Sequence, residues 1–131
     1  AGAALHEIGR VRELEFPADP LAPPEPGVDG QLFGHHLLGR DLIRDAARPV
    51  EGLDPELLRL LEHLVLSYLA RPEWGSPRLP QIPEALILHH ADDLDAKMEM
   101  YSRCLTRDTA EGPFTDRDPV LGRTLLKGRK V

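Results

Sequence analysis

Apolar positions along the chain recur at helical spacing in several stretches that proline-rich segments separate. Between Gln31 and Ala47 the positions Leu32, Phe33, His36, Leu37, Leu42, Ile43 and Ala46 follow a helical spacing, and Arg48-Pro49 ends the run. Asp54-Pro55-Glu56 sets a capping carboxylate before a proline in the first turn. It opens a helix carrying Leu57, Leu58, Leu60, Leu61, Leu64, Val65, Leu66 and Leu69. Those residues cover more than one helical face, so the segment 57–69 is expected to be the most buried. Pro83-Glu84 opens another helix, reaching about Cys104, and residues 3–14 read as the end of a helix. Residues 16–30, with five prolines before Gly27, and residues 71–82, with three prolines and Gly75, read as surface loops. The tail, 106–131, is polar, with a short helix expected around Pro119–Leu126, and no stretch alternates as a strand would. The pattern predicts an all-α bundle of about four to six helices.

Composition narrows this picture. A length of 131 residues suits one domain, 1–131, and aromatics at 5% leave the core to Leu, Ala, Ile and Val, which favours packed helices over a sandwich. The net charge of −6 repels a polyanion, so any nucleic acid would need a local basic patch or bound cations. The one cysteine, Cys104, excludes an internal disulfide and fits a reducing cytoplasm. No apolar run approaches the roughly 20 residues of a membrane span, and the start lacks the basic and apolar regions of an export signal. A cytoplasmic protein without a membrane partner is expected. The opening Ala1-Gly2-Ala3-Ala4-Leu5 reads as the middle of a helix, which predicts an absent upstream segment.

Candidate chemistry lies in the six histidines, at positions 6, 35, 36, 63, 89 and 90. Imidazole nitrogens and carboxylates from several helices can converge on a borderline divalent cation inside a bundle. His6-Glu7 can serve one cation only where the backbone leaves regular helix. His35 and His36 point about 100° apart, so only one is expected to face a site. His89 and Asp92 share a helical face, Asp95 follows on it, and Asp93 with Lys97 make an exposed ion pair.

Longer motifs carry a family resemblance. Leu5-His6-Glu7-Ile8-Gly9-Arg10 resembles the His-Asp signature of the HD phosphohydrolase superfamily, and Gly34-His35-His36-Leu37-Leu38-Gly39 resembles the glycine-histidine element that follows it. The stretch Leu66-Ser67-Tyr68-Leu69, then Glu73-Trp74-Gly75-Ser76-Pro77, is similar to segments of YhaM-type 3'-to-5' exoribonucleases. So are Glu84-Ala85, Leu88-His89-His90-Ala91-Asp92-Asp93-Leu94-Asp95-Ala96-Lys97 and Gly112-Pro113-Phe114-Thr115-Asp116-Arg117. The resemblance implies an HD-domain helical bundle holding one or two divalent cations, most commonly manganese, and hydrolysing phosphodiesters of single-stranded RNA or nucleotides. It implies metal-ligand positions at His6, Glu7, His35 and Asp92, which are expected to lie close together, with Glu7 and Asp92 catalytic. His63 and His89 fall at family histidine positions, and Arg10 stands for a lysine.

Three departures change what the resemblance implies. The family's first metal histidine lies upstream of the segment matched here, glutamate replaces aspartate at Glu7, and Tyr68-Leu69 replaces an adjacent histidine pair. Leucine cannot ligate and a neutral phenol is a poor ligand for these cations. The expectation is a truncated HD domain with weak manganese binding and low or absent hydrolysis. The alternative is a degenerate HD module that serves as a binding or assembly subunit, as a homo-oligomer or with a partner chain.

Overall fold

The computed structural model describes residues 1–128; the last three residues of the expected tail lie outside the described part. Five α-helices occur among the described residues: α1 (Gly2–Leu5), α2 (Arg10–Glu13), α3 (Val28–Ala47), α4 (Pro55–Ser67) and α5 (Pro83–Arg107). The class is all-α, with two short strands, β1 (Leu14–Glu15) and β2 (Glu25–Pro26), paired antiparallel as Leu14 with Pro26 and Glu15 with Glu25. Sequence periodicity misses this ladder because a two-residue strand has no alternation to read. The chain divides into two compact units, Ala1–His89 and His90 onward.

In the first unit, α4 begins as its sequence dictates. The Asp54 carboxylate accepts the Glu56 backbone N–H at 2.8 Å, and Pro55 occupies the first turn, where its missing N–H costs nothing. Burial is not spread over 57–69 as expected. Leu57 and Leu60 are exposed, whereas Val65, Ser67 and Tyr68 are fully buried and gather Ile43, Leu64, Ala85 and Leu88 around them. Only the last turn and a half of α4 is central, because α3 crosses it there. Helix α3 starts at Val28, three residues inside the segment expected to be a loop. It carries a break at Gly34, whose φ of 68° is open to glycine at no steric cost, and Leu32 and Phe33 before the break remain exposed.

Two other glycines bring the backbone together. A Cβ on Gly9 would lie 1.8 Å from the His35 carbonyl oxygen, and one on Gly30 would lie 2.3 Å from the Glu13 carbonyl oxygen. The segment around α2 therefore rests directly on α3, with no side chain between them at either point. Helices α3 and α4 are joined at their outer edge by Arg44, whose Nε and Nη2 donate to the two oxygens of Glu62 at 2.8 and 2.7 Å.

The expected loop 71–82 contains a 3-10 turn, Pro72–Trp74, and is tied internally. Arg71 lies over the Trp74 ring, Ser76 Oγ donates to the Arg78 carbonyl, and His63 Nε2 accepts the Gln81 backbone N–H at 3.0 Å. In the second unit the segment after α5 doubles back on itself. Phe114 and Leu126 form an antiparallel bridge, so the helix expected near Pro119–Leu126 does not form; instead Asp118 accepts the N–H groups of Val120 and Leu121 in a turn. No described helix is long and apolar enough to cross a membrane.

Two outcomes follow for the first unit. Replacing Gly9 with alanine drives a methyl into backbone rather than into a yielding side chain, and should cost about 3 kcal/mol, read as a lower urea midpoint; a loss under about 1 kcal/mol would show that the crossing can open. The hydrogen bond from Arg44 outweighs burial and holds the Glu62 carboxyl below its ordinary range. A lowered folded value contributes stability above the unfolded value of about 4.3, and that stability is lost as pH falls through the folded value. Thermal melts from pH 7 to 3 should show Glu62→Gln less stable than the parent at neutral pH and converging with it in acid.

Candidate functional site

The turn between α1 and α2 carries His6 to Gly9, where helical bonds tighten to the three-residue type: Ile8 N–H to Leu5 O and Arg10 N–H to Glu7 O, both 3.0 Å. The backbone thus leaves regular helix at His6-Glu7, as a shared use of these adjacent side chains requires. Gly9 presses the same turn against the start of the second half of α3.

The break at Gly34 frees the His35 backbone N–H from the helical ladder, and Glu13 Oε1 accepts it at 3.1 Å. The same oxygen lies 3.2 Å from His35 Nδ1. On the other side of the ring, His35 Nε2 is 3.1 Å from the Tyr68 hydroxyl, which donates its proton to Glu7 Oε1. One phenol proton serves one acceptor, so Nε2 of His35 is the donor toward Tyr68. Arg10 closes the circuit, with Nε on Glu7 and Nη1 on Glu13, both at 2.6 Å. His6 meets the Tyr68 ring edge to face at 4.8 Å, and its Nδ1 donates to the Ala3 carbonyl at 2.8 Å.

Charge and burial are balanced here. Burial pushes the Glu7 carboxyl up, but the hydrogen bonds from Tyr68 and Arg10, with the charges of His35 and Arg10, hold it below its usual range. Glu13 behaves alike: burial raises it, and Arg10 with His35 lowers it further than burial lifts it. His36 is held low mainly by burial, with the neighbouring His35 adding to the effect against a hydrogen bond to the Val65 carbonyl at 3.0 Å. Its Nε2 is buried with no hydrogen-bond partner among the described residues.

His6, Glu7, Arg10 and His35 thus gather at Tyr68, and His36 packs on the same ring at 5.1 Å. His35 and His36 are both buried, with ring centres 4.1 Å apart, so both face inward although their Cα–Cβ directions differ. His63 and His89 serve the loop between α4 and α5: His63 holds Gln81, while His89 Nδ1 meets the Tyr68 carbonyl at 2.9 Å and its ring faces Trp74. Asp92, half-buried, and Asp95, exposed, lie on α5 within the second unit, and Lys97 pairs with Asp93 as their spacing predicts. Glu13 is the member that sequence reasoning missed. Its only local sign is the three-residue spacing from Arg10, and its partner His35 lies 22 positions away.

The gathered side chains do not fit a divalent cation as arranged. Both oxygens of Glu7 and both ring nitrogens of His35 are engaged within the chain, and a guanidinium bridges the two carboxylates. Among the described residues no three His, Cys, Asp or Glu side chains form a set that could hold a metal ion. What the arrangement does is neutralise two partly buried carboxylates and lock three segments together.

No protein-family model matches the chain, and no solved structure matches it significantly. Curated proteins do match. Over 117 residues the chain is 41% identical to the 3'-5' exoribonuclease YhaM of Bacillus licheniformis, 41% to that of Bacillus pumilus and 40% to that of Bacillus subtilis. Each match covers 89% of this chain and 35% of the relative, so the chain spans about a third of the length of the curated relatives it matches. Over most of its length it is therefore similar to one part of proteins named 3'-5' exoribonuclease YhaM.

Proposed function

We propose that the chain is an HD-type phosphohydrolase module related to 3'-to-5' exoribonucleases acting on single-stranded RNA, with an incomplete metal site. The observation that carries this reading is the 40–41% identity over 117 residues to proteins bearing that name. Geometry supports it in one respect: the adjacent pair His6-Glu7 and the distant His35, assigned to one centre by the resemblance, meet around Tyr68. Incompleteness is supported by the same tyrosine. A phenol stands where a ligating histidine is expected, and it occupies Glu7 and His35 with hydrogen bonds instead of leaving them for a cation. A cation would have to displace Tyr68 and Arg10 from Glu7, so manganese binding is weak. Hydrolysis by this chain alone is slow or absent.

The second reading, a degenerate module kept for binding or assembly, is favoured by the closure of that network. Each of its members also joins segments of the fold, a duty that persists without turnover.

Hydrolysis of single-stranded RNA with added manganese tests the incomplete site, comparing the chain with Asp92→Ala and with Tyr68→His, Leu69→His. The unaltered chain should show little turnover that Asp92→Ala does not change. Rapid manganese-dependent turnover abolished by Asp92→Ala would overturn the incomplete site. Because Tyr68 is fully buried, Tyr68→Phe is the companion variant. Removal of the phenol oxygen leaves Glu7 and His35 each short of one partner and should cost about 1–3 kcal/mol in urea unfolding.

A further inference from the structure

The second unit holds a groove of about 470 Å³ that the site around Tyr68 does not use. One wall is a single face of α5, with Met100, Arg103, Cys104 and Arg107 at the spacing that stacks side chains along one helical stripe. The opposite wall is the returning tail, with Arg117 and Val120.

The guanidinium and carboxylate groups of this groove differ in what they have left to bind. Asp108 is paired with Lys127 and accepts the Asp116 backbone N–H at 2.8 Å, and Asp118 accepts the Val120 and Leu121 N–H groups. Asp116 is exposed at the rim and is the carboxylate that opposes an anion. Arg103 has only a solvent-exposed pair with Glu99, which is easily exchanged. Arg107 and Arg117 are exposed and have no ion-pair or hydrogen-bond partner among the described residues. Their forked donors match a phosphate, and no other group spends them. Met100 and Val120, which also line the groove, offer apolar surface, 40% and 74% exposed, against which the flat face of a base can rest.

We propose that this groove binds single-stranded RNA, with Arg107 and Arg117 on successive phosphodiesters and Arg103 at the edge. The choice of RNA rests on the function proposed above. A chain of net charge −6 cannot attract a polyanion as a whole, so a groove whose own lining carries three arginines against three aspartates is where contact can occur. The site is a binding surface and takes no part in bond cleavage.

The test is fluorescence anisotropy of a labelled ten-nucleotide oligoadenylate with the whole chain in EDTA, so that hydrolysis does not enter. Arg107→Ala, Arg117→Ala should weaken binding at least about tenfold at 50 mM salt and flatten the logarithmic salt dependence by about 1.4, at ~0.7 per single-strand phosphate contact. Both residues are exposed, and circular dichroism checks that helicity is kept. Arg48→Ala, Arg59→Ala is the control, removing equal charge from the first unit. No binding by the parent chain, equal binding by the groove variant, or an equal loss in the control would each overturn the groove. Arginine-dependent binding that inorganic polyphosphate displaces as readily as unlabelled RNA would overturn RNA as the ligand of this groove, whereas the function proposed above is failed separately, by the hydrolysis assay.

Discussion

The arrangement of the first unit depends on how closely the turn at Gly9 lies against α3. With a 1.8 Å separation between an imagined Cβ and the His35 carbonyl, only a hydrogen fits at that point. Gly30 repeats the condition against Glu13. These two contacts set the distance at which Glu13 can cap the broken helix at His35 and Glu7 can reach across to Tyr68. Side-chain chemistry at the centre is thus a consequence of backbone approach. A helix pair separated by ordinary side chains stands 8–10 Å apart, too far for such short carboxylate reaches.

Within that frame Tyr68 determines the character of the site. It is fully buried as the C-cap of α4, at the end of the most enclosed turn in the unit, and its single hydroxyl links His35 to Glu7. A buried hydroxyl and a buried imidazole are costly if left unpaired, so they satisfy one another and the partly exposed Glu7 carboxylate. Arg10 adds a positive charge to the same position. Glu7, Glu13 and His35 are committed here to holding α2, α3 and α4 in register. That is the physical basis for proposing a module whose fold outlasts its metal chemistry.

The second unit follows a different electrostatic rule. There Asp118 caps a turn and Asp108 pairs with Lys127, while two arginines on the groove are left with donors to offer. An acidic chain can present a surface suited to phosphate because backbone N–H groups and a lysine occupy two of the three aspartates of the groove, leaving Asp116 at the rim. Net charge describes the far field, whereas the near field belongs to individual partners.

Much was legible before any coordinates. The Asp54-Pro55 start of α4, the Pro83-Glu84 start of α5, the loop at 71–82 and the all-α class rest on local rules of capping, proline and periodicity, which act within a few residues. That His6 and Glu7 can share one partner only where the backbone leaves regular helix follows from adjacency, whereas the grouping of His6, Glu7 and His35 with Asp92 rests on family resemblance, and the structure shows the first three around Tyr68. Glu13 could not, nor could the burial of both His35 and His36, the exposure of Leu57 and Leu60, or the tail that bridges Phe114 to Leu126 where a helix was expected. Each of these is decided by contact between segments distant in the chain. Periodicity can say which face of a helix is apolar. Only the crossing of α3 over α4 decides how much of that face is covered, and only the closeness that Gly9 permits decides which carboxylate reaches His35.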